Sequence, residues 1–257
     1  MSEYKALNNI AYDHLRSMIY HCEFDFGKIY SETKLAAQIS ISRTPVRDAL
    51  NKLAHERYID ILPNKGFMLH TPSQADITEA YHIRLMIESY CAGIVAEDYP
   101  NEHSAETIGR MEDALQQQHR LLENDEAYSI SQFWLDDLAF HQALLKHLNI
   151  SSLVQQYESV MYIFMPHHLI RNPSIREKDP QVFDRHRSTL TEHANMIKAL
   201  KSNHPGEVRS AVYTHIDSSM EALTLRLESM PSIQYARSFH LMRVQFAADI
   251  PLEGYRS

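Results

Sequence analysis

The stretch that most narrows what this chain can fold into is Ile41-Ser42-Arg43-Thr44-Pro45-Val46-Arg47-Asp48-Ala49-Leu50-Asn51-Lys52-Leu53. Val46, Ala49, Leu50 and Leu53 recur at helical spacing and form one apolar stripe. Ser42 is a favourable N-cap whose side-chain oxygen can accept from a first-turn amide. Pro45 is tolerated because first-turn amides have no partner inside the helix. Arg43, Thr44, Arg47 and Asn51 fall on the opposite face. Two guanidiniums, a hydroxyl and an amide near a helix start suit phosphates and base edges in a major groove. Taken alone, the same pattern also fits an ordinary amphipathic helix with a solvated polar face.

The flanking segments narrow the choice. Residues from about Leu7 to Cys22 read as a helix with Leu7, Ile10, Ala11, His14, Leu15, Met18 and Ile19 inward. A loop with Gly27 follows, then Ser31 caps a short helix that turns Leu35, Ala36 and Ile39 inward. A tight connection leads to Ser42, which gives a helix-turn-helix arrangement. Beyond it, Tyr58–Leu62 and Phe67–Leu69 flank the turn Pro63-Asn64-Lys65-Gly66 and read as a hairpin, or wing. Lys65 at the tip can reach a phosphate or the minor groove, although turn chemistry alone also accounts for Lys65 and Gly66.

Charge is compatible with this despite a formal net of −8. Residues 28–65 hold seven Lys/Arg against four acids, a net of +3 that leaves −11 to the rest of the chain. A local basic footprint on an acidic chain fits a nucleic-acid contact. Cys22 and Cys91 match no metal spacing, so a reducing, cytoplasmic setting is expected. No apolar run approaches the ~18 residues needed to span a bilayer, and no signal h-region opens the chain.

After Pro72-Ser73 the pattern changes to long amphipathic helices over about 74–98, 103–124, 128–148, 150–170, 180–202 and 205–229, in a chain with only 6 glycines. Polar residues interrupt three of their apolar stripes. They are Asp137 and His141 among Ile130, Phe133, Leu144 and Leu148; His193 among Leu190, Ile197 and Leu200; and His215 among Val208, Val212 and Ala222. Such groups cost several kcal/mol on a core face unless they find partners. One carboxylate and three imidazoles could converge on a divalent metal. Hydrogen-bonded core histidines are the other reading, and with 16 histidines in the chain, His186 also falls on the stripe of His193.

Residues 28–69 resemble the winged helix-turn-helix of GntR-family transcription regulators through Ser31-Glu32-x-x-Leu35-Ala36, Ser42 to Leu53, and Asn64-Lys65-Gly66-Phe67. The resemblance implies that Arg43, Thr44 and Arg47 contact operator DNA, with Thr33, Ser42, Asn51, Lys65 and Gly66 completing the expected DNA-binding set. Ser40 and Arg57 depart from the pattern by standing where the family usually has glycine. Asp137-x-x-Phe140-His141, Glu192-His193 and His215 resemble the FCD effector domain of one branch of that family. There, the Asp and three His positions hold a divalent metal, which makes Asp137, His141, His193 and His215 the expected ligands for zinc, nickel or manganese. Arg84 lies on the stripe Ile77, Tyr81, Arg84, Cys91, where it could clamp an effector carboxylate or pair with Glu88.

The expectation is therefore a mainly α protein. Residues 1–72 form a winged helix-turn-helix of three helices and a hairpin, 73–229 an all-α bundle of six or seven helices, and 230–257 a tail that the resemblance does not explain. Its expected function is that of a cytoplasmic, homodimeric transcription regulator, a repressor on a palindromic operator, with affinity set by a small organic acid at the metal site. A metal-ion sensor, a metal-dependent hydrolase and a binder of a large acyl ligand are the alternatives, and the attached winged helix speaks against an enzyme.

Overall fold

In the computed structural model, residues 2–21, 23–25, 27–124, 128–161 and 180–228 are described. Among them, the chain opens with α1 (Ser2–Tyr20), α2 (Glu32–Gln38) and α3 (Arg43–His55). An antiparallel hairpin of β1 (Ile59–Leu62) and β2 (Gly66–Leu69) follows, with Ile59 opposite Leu69.

The stripe of α3 is buried as Pro45, Val46, Ala49, Leu50 and Leu53. It shares one core with Ala11, Leu15, Met18 and Ile19 of α1. The inner face of α1 differs from the expected one: Tyr12 is buried, while Leu7, Ile10 and His14 are exposed. The contact with α3 selects this face, because the Tyr12 hydroxyl donates to Glu56 (2.6 Å) and its ring lies under the Lys52 ammonium.

Ser40 and Arg57 both adopt left-handed backbone, with φ of 56° and 61°. This accounts for glycine being favoured where they stand: an L side chain in this region costs about 1–2 kcal/mol. Gly66, at φ 122°, packs so closely that a Cβ would collide with the Tyr30 carbonyl. Tyr30 bridges to Phe67 there through two backbone hydrogen bonds.

Six further helices follow: α4 (Gln74–Asp98), α5 (Glu102–Glu123), α6 (Ile130–His147), α7 (Ser151–Met161), α8 (Pro180–Ser202) and α9 (Pro205–Glu228). Ser73 and Asp76 form a capping box at the start of α4. The helix expected over 150–170 is described to Met161; residues 162–170 and the tail 230–257 lie outside the described residues. α4 is central, packing along α9 and touching α5, α6, α7 and α8.

The two parts meet through aromatic and charged contacts. The Tyr20 ring meets Trp134 edge-on at 5.7 Å, and the Tyr58 hydroxyl donates to the Glu158 carbonyl at 3.4 Å. Arg16 lies 3.6 Å from Glu158, and Arg57 bonds both Asp76 and Glu79. No helix among the described residues is long and apolar enough to cross a membrane.

Candidate functional site

The outer face of the winged part collects the sequence candidates. Thr33, Ser42, Arg43, Thr44, Arg47, Asn51 and Lys65 are all exposed, and Gly66 is half-buried. Ser42 occupies the N-cap position of α3 but makes no side-chain cap hydrogen bond, contrary to the expectation, so capping does not consume its hydroxyl. Arg47 Nε donates to Glu32 Oε2 at 3.1 Å, so α2 holds one of the two arginines of α3. The collision described above accounts for Gly66 by packing alone.

A second polar set lies inside the helical part. His141, His193 and His215 are buried, and each offers a ring nitrogen within 4.8 Å of the other two. They come from α6, α8 and α9, brought together because each sits on the core stripe of its helix. The Nε2 atoms of His215 and His141 are 3.1 Å apart. Asp137, one turn before His141, brings its carboxylate to 3.4 Å from His193 Nε2 and 3.8 Å from His141 Nε2. The three expected histidines thus meet, and Asp137 lies against two of them.

The far side of each ring explains why the Nε2 atoms point together. His215 Nδ1 donates to Glu192 Oε2 at 2.9 Å, and His193 Nδ1 donates to Gln118 Oε1 at 3.0 Å. His141 Nδ1 lies 2.7 Å from Glu88 Oε2. With Nδ1 hydrogen-bonded to an oxygen in His193 and His215, and lying close to a carboxylate in His141, each Nε2 is the nitrogen left to present a lone pair. Three lone pairs and a carboxylate then face one another in a buried space, and His193 Nε2 makes no hydrogen bond. Such a donor set is repulsive by itself and suits a cation, with the far-side oxygens acting as ring-orienting partners. The described residues therefore fit a metal ion.

Burial and the neighbouring imidazoles hold His193 well below its ordinary range, and burial lowers His215 despite its bond to Glu192. Both rings are thus disposed to remain neutral, as metal ligation requires. Glu192 is lowered to about 2 against the cost of burial, because His215, Arg185 and Ser218 all donate to it. Arg185 grips both its oxygens, at 2.9 and 3.0 Å, while also bonding Ser218 and Ser219.

Arg84 is buried and pairs with Glu88, Nε to Oε1 at 2.8 Å, while its Nη2 lies 3.4 Å from His141 Nε2. The helical pair and the position beside the cluster are both realised. Burial opposes both charges, but each partner stabilises the other's ionised form: Arg84 is raised and Glu88 lowered. The Tyr157 hydroxyl also donates to Glu88 Oε1, at 2.9 Å.

Sequence reasoning missed the holding roles of Glu88, Gln118, Tyr157 and Arg185. Glu88 carried a signal in its spacing from Arg84; Gln118 carried none. His186, the rival on the stripe of His193, turns to Tyr128 and stacks on Phe133 at 3.8 Å.

A winged helix-turn-helix joined to an all-helical part with a buried Asp/His₃ set defines the class of a DNA-binding regulator with a sensing domain. The chain matches the gntR family of bacterial regulatory proteins over residues 7–69 and the FCD domain over 79–218. It belongs to the GntR family, in the branch that carries an FCD domain. A gluconate operon transcriptional repressor of Bacillus licheniformis is 25% identical over 203 residues, 79% of each chain. The HTH-type transcriptional repressor RspR of Escherichia coli is 27% identical over 226 residues, covering 85% of this chain and 90% of RspR. Among solved structures, E. coli McbR/YncC superposes with a TM-score of 0.69 at 18% identity, covering 86% of this chain and 98% of that one. A GntR regulator from Rhodococcus gives 0.66 at 21%, covering 90% and 100%. The two sequence relatives are transcriptional repressors, and the gntR family is one of regulatory proteins rather than enzymes.

Proposed function

We propose that this protein is a cytoplasmic, homodimeric repressor whose residues 1–72 bind a palindromic operator and whose residues 73–229 sense a small organic acid at a divalent metal. The observation that carries the sensing half is the convergence of three Nε2 lone pairs, from rings fixed at Nδ1, on the Asp137 carboxylate. Asp137, His141, His193 and His215 would hold the ion, zinc foremost and nickel or manganese otherwise. Bound there, it would supply a positive centre for an anionic ligand. Arg84, beside His141, adds a fixed positive charge on the same side, which a ligand carboxylate would share with Glu88.

On the DNA side, Arg43, Thr44 and Arg47 would enter the major groove, with Thr33, Ser42, Asn51 and Lys65 along the backbone. Two-fold symmetry of a dimer matches two half-sites. Elemental analysis of purified protein tests the metal: stoichiometric metal in the wild type and its loss in His193→Ala support the reading, and a metal-free wild type refutes it. Thermal-shift screening of metal-loaded protein against sugar acids, hydroxy acids and dicarboxylic acids then identifies the effector class.

A second reading, in which the ion itself is the signal, is favoured by one observation: Arg84 is already committed to buried Glu88. Titrating operator binding with metal alone separates the two.

A further inference from the structure

We propose that α7 is the coupling element between the buried Asp/His cluster and the DNA-binding part, acting through the adjacent residues Tyr157 and Glu158. The proposal rests on the sensing role argued above. Consecutive residues of α6 reach consecutive residues of α7. His141 contacts Glu88, which accepts from the Tyr157 hydroxyl at 2.9 Å. Gln142 donates directly to Glu158 Oε1 at 2.9 Å. The first rung ends at the cluster. The second continues outward: the Glu158 carboxylate lies 3.6 Å from Arg16 of α1, and its backbone carbonyl accepts from the Tyr58 hydroxyl at 3.4 Å. Tyr58 immediately precedes β1 and shares a core with α3.

The tyrosines of both rungs are packed, Tyr157 at 0% and Tyr58 at 2% exposure, and the Glu158 and Arg16 side chains are part-buried at 26% and 34%. Glu88 is shared among Arg84, His141 and Tyr157. Anything that repositions the His141 ring therefore changes how Glu88 is divided and where the Tyr157 hydroxyl rests. Glu158 is the next residue on a rigid helix, so it cannot stay behind. α4 offers a second link, through Arg57 to Asp76 and Glu79, but the Arg57 side chain is 61% exposed. Exposed pairs of this kind contribute little energy and couple weakly.

The test compares full-length wild type, Glu158→Ala, Tyr58→Phe and, as a control, Arg57→Ala, each stripped of metal or loaded with zinc alone. The readouts are zinc affinity by chelator competition and affinity for an operator duplex selected by the wild type from random-sequence DNA. In the wild type, zinc changes duplex affinity by roughly fivefold or more, the usual range of allosteric coupling. Glu158→Ala and Tyr58→Phe are expected to keep wild-type zinc affinity and metal-free duplex affinity while zinc shifts the latter by less than about twofold. Arg57→Ala should respond as the wild type does. Tyr58→Phe removes only a hydroxyl and decides the matter if Glu158→Ala folds poorly. A full zinc response in both variants, or its loss in Arg57→Ala alone, overturns the role of α7. A wild type that binds zinc without any change in duplex affinity overturns the metal-switch reading and this proposal with it.

Discussion

The polar face of α3 and the polar cluster between α4, α6, α8 and α9 use similar side chains under opposite conditions. On α3 the arginines stand in water, and the pair of Arg47 with Glu32 is an exposed one of low energy. In the cluster, Arg84 and the three imidazoles are buried, and each polar contact replaces hydration that has been lost. A solvated face is cheap to keep and free to engage a new partner. A buried set is costly, so its geometry is held by a surrounding layer of oxygens and by the Arg84–Glu88 pair.

The sharpest way to break this contrast is to remove one member of the buried pair. Glu88→Ala strands Arg84 and is expected to cost about 3–5 kcal/mol of unfolding free energy, measured by denaturant titration. A loss under about 1 kcal/mol would mean that the cluster is wetter than its burial indicates.

Acid should separate the regions next. His193 and His215 stay neutral below the ordinary histidine value of 6.5. The unfolded chain therefore binds more protons than the folded one as pH falls through 6.5. These two groups should leave metal-free protein unaffected by pH just above that value and cost it stability below it. Glu192, at about 2 against an ordinary 4.5, adds a further loss below 4.5. Unfolding curves of His193→Gln should show a shallower decline between pH 6.5 and 4.5. An unchanged decline would remove His193 from the account.

On the exposed face the effects are on binding rather than folding. Arg43→Ala and Arg47→Ala should each weaken specific operator binding by about 1–3 kcal/mol with unfolding midpoints unchanged. Ser40→Gly should raise stability by up to about 1 kcal/mol in thermal unfolding, because it relieves left-handed strain. Smallest of all, Glu32→Ala should change stability by less than about 0.5 kcal/mol, since its pair with Arg47 is exposed.

Much of this organisation could be read in the chain. Helical periodicity located both ends of five described bundle helices, and the start of α7, to within two residues, and the stripe of α3 was buried as its spacing required. The four cluster residues were visible because a polar side chain on an apolar stripe stands out. What supports them was not, since those partners come from other helices: Gln118 lies 75 positions from His193, and Tyr157 lies 69 from Glu88. A glutamine on α5 looks the same in sequence whether it faces water or an imidazole. The inner face of α1 was misjudged for a related reason. Its apolar residues span more of the helix than α3 covers, and only the packed helices select Tyr12 over Ile10.

Trp134 is the chain's single tryptophan, and it sits in α6 one turn ahead of Leu138, edge-on against Tyr20 of α1. Its indole Nε1 is buried without a hydrogen bond. An indole in so dry a setting emits toward the blue, and its emission moves red when water reaches it. The seam between the two parts of the molecule thus carries a native optical label. Loosening there would be visible in unlabelled protein as a spectral shift, without any dye or second fluorophore to disentangle.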